Sequence, residues 1–373
     1  MLKNVMGIIE LGESDEFLKE LTLHRSLAAV PFGGRYRLID FTLSNMVNAG
    51  IRNVGIFVKH QYRSLMDHLG MGNEWDLDRQ RDGLFILPPP KPLERDSTSE
   101  HDVDLLYPHL DYLERSREEL VFVSGTSMLC NMDLTDVLDF HRAKEADITM
   151  LYSSNGDTRL ASPGSTFLNV SEDGRVHDIE VGPLHPSTKN VSMKMFLMKK
   201  NLLMGMLDQA ESRGDKHLVK DTFIKHLRDM RIYGYPFEGY VGRINSLESY
   251  FGCSMDLLRP EIWQELFFSS GSIYTKVKNE PPVRYNEGCT VRNSLIANGC
   301  VIEGHVENSV LFRGVKVHKG AAIKNSIIMQ KGEINSNALL EYVILDKDST
   351  VTNGKHLLGD RKYPLVIAKR TIL

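Results

Sequence analysis

Cysteine is scarce in this chain of 373 residues: four occur, Cys130, Cys253, Cys289 and Cys300, and no two form a C-x-x-C pair. That argues against a zinc ribbon or a thioredoxin-type motif, and scattered free thiols suit a reducing compartment. Long apolar runs are lacking too. Val5-Met6-Gly7-Ile8-Ile9 stops at Glu10, too short for the core of a signal peptide, and no small-residue cleavage site follows. No uncharged apolar stretch reaches the length of about 18 residues that a membrane span needs, so a cytoplasmic protein is expected. Nor is there an excess of positive charge. With 45 Lys and Arg against 49 Asp and Glu the net charge is −4. A general nucleic-acid binder, which needs a basic face to neutralise phosphates, is not expected.

What is there is an ordinary globular composition, 42% hydrophobic and 25% charged, in a chain long enough for two or three domains. Residues 1–255 alternate short apolar strands with helical patterns. Val5–Leu11, Asn53–Val58, Leu120–Ser124 and Ile148–Tyr152 read as buried strands, Ile39–Val47 and Leu134–Lys144 as helices. Such alternation predicts βαβ units and a mainly parallel sheet, with ligands bound beyond the carboxyl ends of its strands. The polar stretches Lys91–Asp104 and Asn155–Ser165 read as loops. Met193, Met195 and Met198 fall in a strand and read as core filling, and Arg115–Glu119 as a solvated helix end.

From Pro281 helical periodicity vanishes. Asn293-Ser294-Leu295-Ile296 recurs as Asn308-Ser309-Val310-Leu311, Asn325-Ser326-Ile327-Ile328 and Glu341-Tyr342-Val343-Ile344, and single aliphatics follow about every six residues. This predicts a hexapeptide-type β-helix over 281–373, with 256–280 as a connector carrying a helix at Glu261–Phe268. An antiparallel sandwich with coincidental spacing is the alternative.

The segment from Leu21-Thr22 through Arg25, Pro31-Phe32-Gly33-Gly34-Arg35-Tyr36-Arg37-Leu38-Ile39-Asp40 to Ser44-Asn45 is distinctive. With Trp75-Asp76-Leu77-Asp78-Arg79, Ile86-Leu87-Pro88-Pro89 and Gly239-Tyr240-Val241-Gly242, it resembles the glucose-1-phosphate adenylyltransferases (ADP-glucose pyrophosphorylases) of the bacterial glycogen pathway. The resemblance runs the length of the chain. It implies a Rossmann-like nucleotidyltransferase domain with a mainly parallel sheet, followed by a left-handed parallel β-helix. It also implies a reaction in which glucose 1-phosphate attacks the α-phosphate of ATP, with Mg²⁺ held by carboxylates and cations on the phosphates.

The same alignment exposes departures. The family's first loop, G-G-x-G-x-R, appears as Gly12-Glu13-Ser14-Asp15-Glu16-Phe17, and the lysine of its R-A-K-P run as Leu27. A cationic, glycine-lined cradle has become anionic. The run S-G-D-H-x-Y-x-M-D appears as Ser124-Gly125-Thr126-Ser127-Met128-Leu129-Cys130-Asn131-Met132-Asp133, so Thr126 stands at the metal carboxylate. Asn245 stands at the second metal position, Gly182 at the sugar-phosphate lysine, and His217-Leu218-Val219-Lys220-Asp221 keeps only half of D-F-G-K-D. Gly12, Glu13, Asp15, Gly125 and Thr126 would then be a vestigial nucleotide pocket. Phe17, Leu27, Thr126, Gly182 and Asn245 mark lost catalytic positions, with no metal site and no cofactor expected.

This pattern implies a GlgD-type, catalytically impaired subunit that modulates a GlgC-type catalytic partner in a hetero-oligomer, expected to be a tetramer, or that self-associates. The competing readings are an active adenylyltransferase with rearranged ligands, in which Glu13 or Asp15 binds Mg²⁺, and a hexapeptide acyltransferase using His305, His318 or His356. Arg35, Arg37, Arg63, Arg79 and Arg81 are candidates for a small anionic effector's site, or for pairing with surface acids.

Overall fold

The computed structural model describes residues 2, 4–90, 102–155, 159–162 and 164–373. Most of the stretch at 91–104, and 156–158 and 163 of the second loop, lie outside the described residues. By internal contacts the chain forms two units. The first comprises Met1–Ser14, Ile39–Gly242 and Phe267–Tyr274; the second comprises Asp15–Leu38, Arg243–Leu266 and Thr275–Leu373.

The first unit is built on a nine-stranded sheet. Val5–Leu11 lies between Asn53–Val58 and Leu120–Ser124, parallel to both, and Gly83–Leu87 extends the parallel run. The first three strands read as continuous apolar runs because both of their faces are covered. Val191–Lys199 then runs antiparallel to Leu120–Ser124 and carries Thr166–Val170 and Ile148–Ser153 on its other side. Ile232–Phe237 returns parallel to Ile148–Ser153. Met6, Ile8, Val121, Val123, Ile148 and Met150 pack there with Leu203, Met206 and Leu207 of the helix Lys200–Arg213. Met193, Met195 and Met198 are all buried in Val191–Lys199.

Two expectations need correction. The end of the expected loop, residues 102–104, opens the helix Asp102–Leu106 instead, where the Leu218 amide donates to Asp102 Oδ2 at 3.2 Å and Lys216 Nζ to Asp104 Oδ1 at 2.6 Å. The helix end at 115–119 is not wholly solvated. Glu118 is buried, and Asn53 Nδ2 and the Ser116 hydroxyl donate to its carboxylate.

In the second unit residues 284–367 wind into three five-stranded parallel sheets, so the sandwich alternative fails. Ile302, Val317, Ile334 and Val351 stack inside one corner row, Val306, Ile323 and Leu340 in the next, all buried. The recurring Asn-Ser pair has a structural cause. Asn293, Asn308 and Asn325 all adopt positive φ, 41°, 46° and 46°, where asparagine is tolerated best among side-chain-bearing residues. Each following serine donates to the carbonyl two residues back and accepts from the amide of the next coil. The Ser309 amide donates to Ser294 Oγ, Ser326 to Ser309 Oγ and Val343 to Ser326 Oγ, each at 3.1 Å. This register corrects the fourth repeat: Ile327 pairs with Ile344, so Tyr342, not Glu341, occupies the asparagine position, at φ 52°. Its ring packs on Phe251 with centroids 6.2 Å apart, which compensates for a bulky residue there. The helices Leu247–Asp256 and Pro260–Phe268 precede the coils.

Candidate functional site

Two loops leave the carboxyl ends of neighbouring parallel strands, one after Leu11 and one after Ser124. The helix Leu38–Asn48 fixes the second. Thr42 Oγ1 donates to the Gly125 carbonyl at 3.0 Å and Asn45 Nδ2 to the Cys130 carbonyl at 3.0 Å, both buried. Asp40 of the same helix, fully buried, holds His68 Nε2 at 2.6 Å. The polar residues of the Asp40–Asn45 stretch thus act as an internal scaffold. Asp133 caps the helix Leu134–Ala143 by accepting from the Thr135 amide at 2.8 Å. Cys130 is buried, and burial pushes its thiol up to about 12, which removes it as a nucleophile.

Into this loop the first one inserts a single side chain. Glu13 Oε2 accepts from the Thr126 amide at 2.8 Å, the Thr126 hydroxyl at 3.2 Å and the Ser127 amide at 3.0 Å. Its Oε1 accepts from the Ser127 hydroxyl and, at 3.2 Å, from the Ser127 amide. Consecutive backbone amides turned on one point make an anion-binding concavity. Here the anion belongs to the chain itself. Gly125 permits the approach: a Cβ there would lie 2.3 Å from Glu13 Oε1. The Gly12 amide donates in turn to Glu10 Oε1 at 2.8 Å.

The structure therefore brings Gly12, Glu13, Gly125 and Thr126 together in the first unit. Asp15 belongs to the second unit, where its carbonyl accepts from the Leu18 amide at 2.9 Å. Phe17 is 68% exposed and bridges to Ser246 beside Asn245, whose amide is held by the Ser249 hydroxyl at 3.0 Å. Leu27 is buried in a single 3₁₀ turn, Leu27–Ala29. Gly182 is exposed at φ 61°, its amide donating to the Ser165 carbonyl at 2.9 Å. In the segment at 216–221, burial alone would raise the Asp221 carboxyl, but the amides of His217 and Lys216 outweigh it and hold it below its ordinary value. Mg²⁺ takes hard, mostly anionic oxygens. Thr126 offers a neutral hydroxyl already donating to Glu13, Asn245 a neutral amide, and both Glu13 oxygens are occupied by donors. These residues do not fit the ion.

The candidate effector arginines fall in both units. Arg63, Arg79 and Arg81 belong to the first unit, Arg35 and Arg37 to the second. Arg79 is paired with Asp76, and Arg35 lies over the Tyr36 ring at 5.0 Å. Arg37 belongs instead to a cluster that its spacing in the sequence does not reveal. Arg25, fully buried, pairs with buried Asp346 at 2.6 Å. Beside them burial first, then Arg37 and Arg25, and then Lys369, push Lys347 down to about 6 against the opposing pull of Asp346. Arg25, Arg37 and Lys369 thus surround a Lys347 that they and burial hold largely neutral at pH 7. The adjacency of Asp346 and Lys347 on a β-helix corner was the signal available in the sequence. Of the acyltransfer histidines, His318 Nε2 contacts Glu333 Oε1 at 2.9 Å and His305 Nδ1 the Thr290 hydroxyl at 2.8 Å, both as rungs between coils.

Residues 9–257 match the nucleotidyl transferase family, and residues 282–362 match the GlmU-like C-terminal hexapeptide family, which makes the stack of coils a left-handed β-helix. The glycogen biosynthesis protein GlgD of Bacillus subtilis (strain 168) is 40% identical over 365 residues, covering 98% of this chain and 96% of that protein. GlgD of Geobacillus stearothermophilus is 41% identical over 372 residues, 100% of this chain and 98% of its own. A glucose-1-phosphate adenylyltransferase of Clostridium perfringens (strain 13 / Type A) is 31% identical over 374 residues, 100% and 95% of the two chains. Among the described residues no helix is long and apolar enough to cross a membrane. With the sheet, the paired loops and the coils all matched, the chain belongs to the nucleotidyltransferase family, in the group that holds the glucose-1-phosphate adenylyltransferases and the GlgD-type proteins.

Proposed function

We propose that this chain is a regulatory, catalytically impaired subunit of ADP-glucose pyrophosphorylase in cytoplasmic glycogen synthesis, acting on a GlgC-type catalytic partner in a hetero-oligomer. The observation that carries the reading is the Glu13 carboxylate seated on the Thr126 and Ser127 amides. A triphosphate reaching that cradle meets a resident anion, and displacing it breaks charge-assisted hydrogen bonds. No Mg²⁺ is assigned to the site, for want of anionic donors at positions 126 and 245. Removing one well-placed electrostatic stabiliser costs roughly a hundred- to thousandfold in rate, and here several are replaced together. The gathering of Arg25, Arg37 and Lys369 around Lys347 supports an accompanying role in which a small anionic effector binds the second unit.

The test is turnover of ATP and glucose 1-phosphate with Mg²⁺, by the purified chain alone and mixed with a GlgC-type enzyme. The chain alone is expected to give no ADP-glucose, and the mixture a changed Vmax or effector response together with co-elution on size exclusion. Robust turnover by the isolated chain favours the rearranged-ligand enzyme and overturns the proposal, as does a mixture behaving as two independent species.

A further inference from the structure

One corner of the β-helix carries a column of polar side chains that the aliphatic repeat does not explain. The strands Val310–Leu311, Ile327–Ile328, Val343–Leu345 and Leu365–Ile367 pair in parallel, Leu311 with Ile328, Ile328 with Leu345 and Leu345 with Ile367. Two residues beyond each strand, Arg313, Gln330, Lys347 and Lys369 therefore occupy the same corner of four successive coils, spaced about 4.8 Å apart. The backbone keeps this register: the Lys331 amide donates to the Arg313 carbonyl at 3.1 Å, the Asp348 amide to that of Gln330 at 3.0 Å and the Arg370 amide to that of Lys347 at 3.0 Å. The column holds three basic residues and no acid.

Its hydrogen bonding is incomplete. The neighbouring acid, Asp346, is already engaged: its Oδ2 holds Arg25 at 2.6 Å and its Oδ1 accepts from the Lys347 amide at 2.7 Å. The side-chain nitrogens of Lys347 and Lys369 make no hydrogen bond or ion pair among the described residues. Gln330 Oε1 is buried and accepts from no donor among the described residues. A buried amide oxygen in that condition carries its full desolvation cost. Lys347 itself is half-buried, and at pH 7 it stands largely as the free amine.

The corner thus combines a nucleophilic amine, an unpaired cation on the next coil and an acceptor without a donor on the coil before. One small group satisfies all three. A carbamate on the amine offers an N–H together with two anionic oxygens. The cations that disfavour Lys347 as an ammonium favour it as a carbamate, because the modification reverses the sign of the charge at that point. Carbon dioxide, small and uncharged, needs no cationic escort to a half-buried amine.

We infer that Lys347 is a site of carbamylation by carbon dioxide, the new N–H directed to Gln330 Oε1 and the carbamate oxygens to Lys369 and Arg37. The Nζ lone pair attacks the carbon of CO₂ and forms the N–C bond, one C–O π pair moves onto oxygen, and an Nζ proton leaves to solvent. Neither an oxidant nor a cofactor is required. The site lies apart from the Glu13 loop and does not rest on the proposed subunit role.

The test is equilibration of the full chain with ¹³C-labelled bicarbonate and CO₂ at mildly alkaline pH, read by the ¹³C resonance of a carbamate. The adduct is then trapped by O-alkylation with a trialkyloxonium salt and mapped by peptide mass spectrometry, which separates Lys347 from the chain's amino terminus. The expected result is a saturable carbamate at Lys347. Lys347→Arg abolishes it. Gln330→Glu, which sets a carboxylate on the same corner to pair with the ammonium, abolishes it too. Arg37→Gln with Lys369→Gln lowers the yield at limiting CO₂ by about tenfold, the effect of losing about 1.4 kcal/mol of favourable field. Circular dichroism checks that each variant folds. The inference is overturned if the parent chain forms no carbamate at saturating CO₂, if the label maps to another amine, or if the yield is unchanged in the Gln330→Glu or the double variant.

Discussion

The two units of this chain treat charge in opposite ways. In the first, the loop after Leu11 supplies Glu13 to an amide cradle that is otherwise complete, and the site is closed by its own side chain. In the second, Arg25 pairs with the buried carboxylate of Asp346, and Arg37, Arg25 and Lys369 crowd Lys347 and hold its pKa down. Closing one loop and gathering cations elsewhere are therefore separable within one fold. One acid in a loop achieves the first, whereas the second draws on residues far apart in the sequence.

The largest effect that bears on this contrast is expected at Asp346. Asp346→Asn leaves Arg25 buried without its counter-ion, which costs about 3–5 kcal/mol. Urea unfolding should show the loss, and added phosphate should recover part of it. A loss below about 1 kcal/mol would mean that the cluster is not the cation-rich site described.

Next comes the pH dependence that Lys347 imposes. Its folded pKa of about 6 lies far below that of an unfolded lysine. Between those two values the unfolded chain binds a proton that the folded chain does not, so stability rises with pH, by no more than about 1.4 kcal/mol per unit. Lys347→Met should flatten this slope and stabilise the protein at neutral pH. Parallel stability–pH curves for the two proteins would contradict the burial and the cationic neighbours assigned to Lys347.

Opening the other site has a smaller cost. Glu13→Ala leaves the Thr126 and Ser127 amides without their acceptor, destabilising the chain by about 1–3 kcal/mol. The same change should create affinity for pyrophosphate, measurable by calorimetry and absent in the parent. If pyrophosphate binds the parent equally well, Glu13 does not close the cradle.

The smallest effect is expected away from both charge clusters. Ser309→Ala removes one rung of the serine ladder, and thermal unfolding should show a loss of about 1 kcal/mol. No change would assign coil stability to the aliphatic stack alone.

Much of the fold was legible from pattern alone. Val5–Leu11, Asn53–Val58 and Leu120–Ser124 have the bounds expected of them, because a strand buried on both faces announces itself as an unbroken apolar run. The coils were legible from the Asn-Ser repeat for a similarly local reason: a positive-φ corner and a side-chain ladder recur with each turn. The slip at Tyr342 came from a coil one residue longer than its spacing suggested, which only the pairing of Ile327 with Ile344 reveals.

The candidate site was legible by identity and not by geometry. The sequence by itself determined which residue types stand at positions 13, 17, 27, 126, 182 and 245, and that acids stand in the loop after Leu11. Only the tertiary structure decided that Glu13, rather than Asp15 or Glu16, meets the second loop. A side chain's partners across 113 residues depend on how two neighbouring strands end. Likewise only the fold gathers Arg25, Arg37, Lys347 and Lys369. Charge is written residue by residue, whereas a field is summed over whatever the folded chain places within reach.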